Sequence, residues 1–462
     1  MSYTSKDIMI TFDDEVGVIY HTETGSFFTL TVENAKLLQE AQMKYENDTL
    51  VEEDRVDYIA LFDDMLSGKP RRQRQDYSRI DEATSLEGLK LMVSTDCNLR
   101  CKYCYADGGS YGHARETITP EKAIAYIDAI ILGKYTHLST FGFFGGEPTL
   151  SPETIEAVCT HFRQLVLDNH LDGMPHFSMI TNGTLIDQKL AGIIDEYDIS
   201  LIISVDGPKE VNDAQRIRVD GSGSYDGICS SLQVLHESGV YPTLAEATYT
   251  QNHLAAGLTV DDVSAYVAEH LGIPRTIVVP CIDYGNSSGA AELAVELSEI
   301  EEVSIEDLME SFDALENIES SVFDDLFKIA RMISGTYSNA VCAVGVASMT
   351  VFPNGEIYPC HLFGDNEEFI MGRIAQGVLT YNDAVLDRMY GYQKSEREYC
   401  RDCWQRTFCK GCVALDWIPH RCAELSERNK KVILALAKLR LNESRWDGFM
   451  EVVKRMDLSR FE

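Results

Sequence analysis

The chain has 462 residues, and its 40 basic and 74 acidic side chains give a formal net charge of -34 at pH 7. Nucleic acids and anionic membranes would repel so acidic a protein, which argues against both as partners. No apolar run is long enough to span a bilayer, and the first residues lack the basic and apolar regions of a signal peptide. We therefore expect a cytoplasmic protein.

Short strand-like runs followed by two amphipathic helical runs predict a small domain over residues 1–70. The strands are expected in DIMITF, VGVIYH and SFFTL, and the helices in VENAKLLQEAQ and VDYIALFDDML. The polar run SGKPRRQRQD leads into residues 71–87 and predicts an exposed linker. Its side chains Arg71, Arg72 and Arg74 are expected to be solvated.

Six strand-like runs alternate with helical stretches over residues 88–290. The runs are GLKLMVS, LSTFGFF, HFSMIT, SLIISVD, TLAEATYT and TIVVPCI. Repeated strand and helix units favour an α/β fold with a parallel sheet, here a partial (β/α)6 barrel whose chemistry lies at the C-terminal ends of the strands. The rest is predicted as an acidic helical bridge over 291–338, a cysteine-rich region over 339–430 and a helical segment over 431–462.

Three cysteines, Cys97, Cys101 and Cys104, lie in the sequence CNLRCKYC directly after the first of the six strands. In a reducing compartment, metal binding explains the thirteen cysteines of the chain better than disulfides do. Thiolates favour iron-sulfur clusters or zinc, but structural zinc takes four protein ligands and no fourth Cys or His lies near. A [4Fe-4S] cluster held by three thiolates would leave one iron open for a cofactor or substrate.

Polar motifs end the next strands of the predicted sheet. In FFGGEPTL, at the end of the second strand, two glycines would allow close backbone approach to a ligand, and Glu147 would accept a hydrogen bond from an ammonium group. The third strand ends in TNGT and the fourth in SVDGP, where Ser204 and Asp206 would hydrogen-bond a ribose. Arg216 is available for a carboxylate. Each motif alone is also ordinary turn chemistry.

In this order and at strand ends, CNLRCKYC, GGEP and SVDGP resemble the motifs of radical S-adenosylmethionine (SAM) enzymes. The resemblance implies that the three cysteines hold a [4Fe-4S] cluster and that Tyr103 lies against the adenine of SAM. It also implies that Gly145, Gly146 and Glu147 bind the amino group of SAM. In that family the open iron binds SAM, one electron cleaves its sulfonium, and a 5′-deoxyadenosyl radical abstracts hydrogen.

Seven further cysteines in the C-terminal region have spacings that resemble a SPASM domain, the auxiliary-cluster extension of radical SAM enzymes that modify peptides and proteins. The resemblance implies two auxiliary [4Fe-4S] clusters, and so three clusters in all. Its interleaved pattern implies two ligand sets, one of Cys400, Cys403, Cys409 and Cys422, the other of Cys342, Cys360 and Cys412. The gap from Cys409 to Cys412 is shorter than is usual in the family, and a zinc ribbon is the alternative for the CxxC pairs.

One auxiliary ligand is missing, because two clusters fully ligated by cysteine need eight thiolates and seven are present. Water, another side chain, a distant cysteine or a thiolate of the substrate would fill the vacant position. Cys281 ends the sixth strand and is a candidate, although a packed strand residue is its more ordinary interpretation. Cys159 and Cys229 are expected to be buried, inert thiols.

The N-terminal domain resembles the winged-helix-like recognition element of enzymes that modify ribosomal peptides, in which a leader peptide adds a strand to a sheet edge. A dimerisation or packing module is the alternative. These features predict a peptide maturase that resembles the ranthipeptide group and forms thioether cross-links in a precursor with a cysteine-containing core, with flavodoxin or ferredoxin as reductant. The alternatives are a carbon-carbon cross-linking maturase, an anaerobic sulfatase maturase and a non-catalytic iron-sulfur sensor.

Overall fold

The protein was analysed as a computed structural model, which describes residues 3–283, 289–295, 328–332, 335–414 and 419–455. No helix within these ranges is both long and apolar enough to cross a bilayer. Most of the helical bridge predicted over residues 291–338 lies outside the described residues.

A three-stranded antiparallel sheet followed by two helices forms the N-terminal region. The elements are β1 (Ile8–Phe12), β2 (Gly17–His21), β3 (Ser26–Leu30), α1 (Val32–Glu46) and α2 (Glu52–Met65). The strands lie in chain order in the sheet. Helix α1 begins after Thr31, whose side chain accepts a hydrogen bond from the backbone N–H of Asn34. The predicted strands and helices of this region are therefore all present.

The Arg-rich run that follows is partly buried, so the prediction of an exposed linker is wrong for its central part. Strand β4 (Gln73–Gln75) pairs in parallel with residues 336–338. The side chain of Arg72 is only 6% exposed, and it donates hydrogen bonds to Oγ1 of Thr407, at 2.8 Å, and to the carbonyl of Arg331. Arg74 remains half exposed, as expected. The buried guanidinium of Arg72 thus ties the N-terminal region to the cysteine-rich region.

Six parallel strands form the centre of the protein. They are β5 (Ser85–Ser94), β6 (His137–Gly145), β7 (His176–Thr181), β8 (Ser200–Ser204), β9 (Leu244–Tyr249) and β10 (Thr276–Pro280). The helices that connect or follow them are α3 (Pro120–Ile131), α4 (Pro152–Leu167), α5 (Gln188–Glu196), α6 (Lys209–Gln215), α7 (Tyr225–Glu237), α8 (Gln251–Ala255), α9 (Val260–Leu271) and α10 (Ala290–Leu293). Each strand pairs in parallel with the strand that follows it in the chain.

The same sheet continues into the cysteine-rich region. The remaining elements are β11 (Thr336–Ser338), β12 (Ser348–Val351), β13 (Glu356–Tyr358), β14 (Gly372–Ala375), β15 (Val378–Tyr381), α11 (Asp383–Tyr390), α12 (Glu398–Arg401), α13 (Pro419–Arg440) and α14 (Glu443–Arg455). Strand β12 pairs in parallel with β5, and β13 to β15 extend the sheet in antiparallel fashion. The sheet therefore crosses the predicted boundary at residue 339.

Both faces of the N-terminal sheet are buried, because alternate side chains of its strands face two different sets of helices. Ile8, Ile10 and Ile19 pack in one cluster with the aromatic residues of α2. Val18 and Tyr20 pack in another cluster with the apolar residues of α13. The first and last segments of the chain thus share a core, and the N-terminal region is not an independent appendage.

The buried contacts of Arg72 generate a stability prediction. Arg72→Met keeps the apolar stem but removes the donor to Oγ1 of Thr407 and to the carbonyls of Arg331, Thr336 and Thr407. We therefore expect a loss of about 2–4 kcal/mol, measured as a lower urea midpoint of unfolding. Arg74→Gln, at a half-exposed neighbour, should change stability by less than about 0.5 kcal/mol. Equal midpoints for the two variants would show that Arg72 does not join the two regions.

Candidate active site

The loop that follows β5 brings Cys97, Cys101 and Cys104 close together. All three thiols are partly buried. Burial is the main reason that the pKa of Cys101 is raised to about 12, and the neighbouring thiols of Cys104 and Cys97 raise it further. Burial likewise raises the pKa of Cys97 to about 11. The three sulfurs therefore lie within electrostatic range of one another.

Two hydrogen-bond donors near Cys97 oppose the effect of burial on its pKa. The backbone N–H of Leu99 donates to its Sγ at 3.3 Å, and Nδ2 of Asn182 lies 3.6 Å from the same sulfur. Donors of this kind stabilise the charged form of a ligand and tune iron-sulfur clusters. Within the described ranges, no three His, Cys, Asp or Glu side chains converge as ligands of a single metal ion. The donor set fits a cluster, although ligation by these cysteines stays a prediction.

Gly145 and Gly146 pack against the backbone that leads into the cysteine loop. A Cβ atom on Gly146 would lie 2.2 Å from the carbonyl oxygen of Asp96, and one on Gly145 would lie 2.3 Å from that of Ser94. The N–H of Gly146 donates to Ser94 O at 2.8 Å, and the N–H of Glu147 donates to Asp96 O at 2.9 Å. The glycines thus permit a close backbone approach between the two motifs, while their approach to a ligand stays a prediction.

The carboxylate of Glu147 is 1% exposed and is held by four donors. Its Oε1 accepts from the N–H and Oγ1 of Thr149, at 3.0 and 2.6 Å, and from Oγ1 of Thr181 at 2.6 Å. Its Oε2 accepts from the N–H of Asn182 at 2.8 Å. Burial raises the pKa of Glu147, and these hydrogen bonds oppose the shift. Oε2 retains acceptor capacity for an ammonium group.

The three residues that donate hydrogen bonds to Glu147 were not predicted from the sequence. Thr149, Thr181 and Asn182 lie in GGEPTL and at the end of β7, and no spacing rule assigns their side chains to a carboxylate. Asn182 also donates to the side chain of Asn98 at 2.8 Å, which joins it to the cysteine loop. The sequence signal for Thr181 and Asn182 is the position of the motif TNGT at a strand end.

Tyr103, Asp206 and Arg216 form one hydrogen-bond network. The hydroxyl of Tyr103 donates to Oδ2 of Asp206 at 2.7 Å and accepts from Nη1 of Arg216 at 2.6 Å. Asp206 is completely buried and also accepts from Nε2 of Gln215 at 2.7 Å and from the N–H of Thr248 at 3.0 Å. A contact of Asp206 with ribose stays a prediction.

Arg216 has a donor to spare. Its side chain is 7% exposed, and its Nε is buried without a hydrogen-bond partner in the part of the chain that the structure describes. An orphaned guanidinium donor of this kind is suited to a carboxylate. Ser204 lies half-buried at the end of β8, on the strand that leads to Asp206. The contacts of Ser204 and Arg216 with SAM stay predictions.

Cys342, Cys360 and Cys412 form a second group of thiols. Burial raises the pKa of Cys360 to about 11, and Cys342 and Cys412 raise it further. The N–H of Leu362 donates to Sγ of Cys360 at 3.4 Å. Cys281, the candidate for the vacant ligand position, is buried at the end of β10 with its sulfur 4.0 Å from the carbonyl of Ala290. These contacts are those of a packed residue.

Cys400, Cys403, Cys409 and Cys422 form a third group. Burial raises the pKa of Cys409 to about 12, and the other three cysteines of the group raise it further. The two C-terminal groups thus have the same members as the two predicted ligand sets, and cluster binding by them stays a prediction. Among the remaining thiols, Cys159 is fully buried, whereas Cys229 is only partly buried.

Residues 91–263 match the family model of the Radical SAM superfamily. The chain contains a radical SAM domain. This match covers the cysteine loop, the GGE motif and the SVDGP motif. The seven cysteines from Cys342 to Cys422 fit the predicted SPASM extension.

Two curated relatives share this domain. The radical SAM cyclopropyl synthase TigE of Paramaledivibacter caminithermalis is 31% identical over 184 residues, which are 37% of this chain and 37% of TigE. The cysteine-type anaerobic sulfatase-maturating enzyme of Clostridium novyi is 23% identical over 346 residues, 71% of this chain and 88% of the relative. The chain therefore matches little more than a third of the first relative and most of the second.

Solved structures support the fold. Native anSMEcpe with bound AdoMet and the Cp18Cys peptide aligns with a TM-score of 0.57 at 21% sequence identity, over 80% of this chain and 99% of that chain. At this level of identity the similarity concerns the fold alone. The predicted α/β radical SAM fold is confirmed.

The contact between Gly146 and Asp96 gives a test of the site. In Gly146→Ala the new methyl would clash with a backbone carbonyl, so we expect the cysteine loop to shift and the affinity for SAM to fall by about tenfold or more. Equilibrium dialysis of reconstituted protein with labelled SAM measures the change. Gly192→Ala is the matched control, because no atom lies within 4 Å of that Cβ in α5. Wild-type affinity in Gly146→Ala would contradict the assigned approach.

Proposed function

We propose that the chain is a radical SAM maturase that forms thioether cross-links, from cysteine sulfur to carbon, in a ribosomally made precursor peptide. The observation that carries this proposal is the division of the C-terminal thiols into one group of four and one group of three, beside a radical SAM domain. SAM and three [4Fe-4S] clusters are the proposed cofactors. Flavodoxin or ferredoxin is the proposed reductant.

The radical SAM site would work through the contacts already described. The cluster held by the three cysteines of the CNLRCKYC loop would supply an open iron for SAM and the electron for its reductive cleavage. Oε2 of Glu147 would accept from the ammonium of SAM, and Nε of Arg216 would donate to its carboxylate. The ring of Tyr103 would lie against adenine, with its hydroxyl fixed by Asp206 and Arg216. Ser204 would contact the ribose.

The group of three thiols supports the thioether assignment. A cluster held by Cys342, Cys360 and Cys412 would have one position left for a substrate thiolate, which would fix the sulfur that is cross-linked. Each thioether removes one hydrogen from the peptide carbon and one from the thiol. The carbon hydrogen would go to the 5′-deoxyadenosyl radical, the thiol would lose a proton, and the surplus electron would leave through the auxiliary clusters.

The position of the three-thiol group fits this role. Lys90 on β5 lies 3.3 Å from Nδ1 of His361, which in turn lies 3.5 Å from Sγ of Cys360. Burial lowers the pKa of Lys90, whereas Cys360 and Glu246 on β9 raise it. Lys90 is thus within electrostatic range of Cys360, which belongs to the three-thiol group. It is also within range of Glu246 on β9, which lies on the other side of the parallel sheet. A peptide bound among these residues would reach both the thiol group and the radical SAM site.

The relatives name two alternative reactions. The 31% identity to a cyclopropyl synthase favours carbon-carbon bond formation as the second candidate. The similarity to a cysteine-type anaerobic sulfatase-maturating enzyme keeps sulfatase maturation as the third. A non-catalytic iron-sulfur sensor is disfavoured, because it would not need the Glu147 carboxylate site.

We further propose that the leader of the precursor adds a strand to β3. The outward carbonyls of β1, those of Ile8 and Ile10, already accept from the side chains of Gln42 and Gln39. The N–H of Thr22 donates to Asp7 O, so the backbone of Thr22 faces β1. Backbone groups of an antiparallel strand face its two neighbours alternately, and the register of β2 with β3 therefore directs the backbone of Thr29 away from β2. The edge at β1 is therefore closed by α1. On β3 the outward carbonyl of Phe27 accepts from Nη1 of Arg440 at 2.9 Å, so the half-exposed Thr29 is the position that β3 offers to a leader strand.

Mass spectrometry of the product tests the thioether assignment. After anaerobic incubation of the reconstituted enzyme with short cysteine-containing peptides encoded near its gene, the modified peptide should lose two hydrogens per cross-link and resist alkylation by iodoacetamide. A carbon-carbon link or a cyclopropane would also remove hydrogen but would leave the thiol reactive, and sulfatase-type maturation would remove sulfur. Either of those results would contradict thioether formation.

The matched control for this experiment replaces all three cysteines of the CNLRCKYC loop. The variant Cys97→Ala, Cys101→Ala, Cys104→Ala should make no 5′-deoxyadenosine and no cross-link, while the absorbance of the C-terminal clusters remains. Undiminished 5′-deoxyadenosine in this variant would refute the assignment of the radical SAM site.

The leader proposal has its own test at Thr29. In Thr29→Pro the outward N–H is lost, so the affinity for the leader should fall by about tenfold, as expected for one backbone hydrogen bond. Thr29→Val keeps the N–H and should bind normally. Fluorescence anisotropy with a labelled leader peptide provides the measurement, and equal affinities for the two variants would show that the leader does not pair with β3.

A further inference from the structure

A basic cavity lies where the N-terminal sheet, the Arg-rich run and the cysteine-rich region meet. Its volume is ≈ 490 Å³, and its walls include Glu23, Arg71, Arg74, Lys394 and Arg401. None of these side chains belongs to the radical SAM motifs or to the three cysteine groups. The cavity therefore has no role in the proposed reaction as it stands.

The charge of the cavity is opposite to that of the protein. Five of its wall residues are Arg or Lys and two are acidic, Asp7 and Glu23, while the whole chain carries a formal charge of -34. Both acidic side chains are bound by a single basic one, Arg406, at 2.8 and 2.6 Å. Arg74 and Arg401 also pair with Asp76 and Asp402, which are not in the lining. The lining keeps an excess of positive charge, and this excess attracts an acidic ligand that most of the protein repels.

Lys394 adds a buried ammonium group to the cavity wall. Its side chain lies in the cavity wall, and the residue is only 6% exposed. In the part of the chain that the structure describes, its Nζ donates to one acceptor, the carbonyl of Ser338 at 3.1 Å, and to no carboxylate. The ammonium group also lies within electrostatic range of the thiols of Cys409 and Cys400. It carries three donors, so a single carbonyl acceptor leaves two of them for a ligand. A carboxylate in the cavity would satisfy the remaining donors.

The cavity also continues the proposed path of the leader. Glu23, in its wall, belongs to the turn between β2 and β3, and β3 begins at Ser26. A strand added to the edge of β3 and prolonged past Ser26 would run toward the cavity. Arg401, on the opposite wall, follows directly after Cys400 of the four-thiol group. A peptide held here would thus be fixed between the N-terminal sheet and the cysteine-rich region.

We propose that this cavity binds an acidic segment of the precursor peptide, whose carboxylates contact Lys394, Arg401 and Arg74. This inference rests on the proposed function, since it requires a peptide substrate. It adds a requirement on sequence to the pairing at β3, because backbone hydrogen bonds alone read no side chains. Glutamate or aspartate is expected in the part of the leader that extends past Ser26 toward the cavity.

The experiment uses the reconstituted full-length enzyme and two labelled synthetic peptides of equal length, one with several glutamates and one with glutamines in their place. Fluorescence anisotropy should show the glutamate peptide binding about tenfold more tightly, with a preference that shrinks as salt is added. Lys394→Met and Arg401→Gln should each weaken its binding by about fivefold or more, whereas Lys189→Gln, at an exposed site on α5, should not. Equal affinities for the two peptides, or unaltered binding in both cavity variants, would overturn the proposal.

A second measurement separates the peptide from an acidic electron donor. In the absence of peptide, the cavity variants should cleave SAM at the wild-type rate with either dithionite or reduced flavodoxin. If SAM cleavage by the variants falls only with flavodoxin as reductant, and binding of the glutamate peptide is unaltered, the cavity binds the electron donor. That result would overturn the proposal. Because Arg401 is exposed, its variant remains informative if Lys394→Met fails to fold. Intact glutamate-dependent binding without any thioether product would refute the proposed reaction and leave the cavity assignment standing.

Discussion

Two backbone hydrogen bonds hold the radical SAM site together, from Gly146 to Ser94 and from Glu147 to Asp96. They form because Gly145 and Gly146 have no Cβ and the backbone after β6 can approach the backbone after β5 closely. The same contact fixes the buried carboxylate of Glu147 beside the loop that carries the three cysteines. A carboxylate site and a thiol site are thereby placed at one edge of the sheet, which is what a ligand with an ammonium group and a cluster-bound end requires.

A shared sheet fixes the distance between this edge and the three-thiol group. Strand β12 pairs with β5, so the cysteine-rich region is attached to the radical SAM domain through backbone hydrogen bonds and not through a flexible connection. Lys90, on β5, reaches His361 beside Cys360. Packing of α13 on the N-terminal sheet, together with the buried Arg72, joins the remaining region to the same body. A reaction that needs leader, cysteine and radical in register depends on such rigid connections.

The elements that were predicted correctly are those that a local sequence pattern specifies. The six parallel strands and the fold class were predictable because alternation of apolar runs with helical ones is periodic, and the strand-end motifs carry glycines and polar residues at fixed offsets. The side chains around Glu147 were not predictable. Thr181 and Asn182 are thirty-four and thirty-five positions away from it, and only the parallel register of β6 and β7 brings them together.

The burial of Arg72 was likewise not predictable from local sequence pattern. An Arg-rich run predicts solvent-exposed side chains. The buried guanidinium of Arg72 instead donates to acceptors on Thr407 and Arg331, which come from distant parts of the chain. The extension of the sheet from β5 to β12 is likewise a pairing between residues more than 250 positions apart, for which short strands carry no local signal.

The central claim is that the radical SAM site takes hydrogen from a carbon of a cysteine-containing peptide. Transfer of deuterium tests it most directly. The reconstituted enzyme would be incubated with a precursor peptide deuterated at its carbon positions, and the 5′-deoxyadenosine formed would be analysed by mass spectrometry. The account predicts deuterium in 5′-deoxyadenosine in step with cross-linked peptide. Cross-linked peptide accompanied by 5′-deoxyadenosine that carries no deuterium would contradict it.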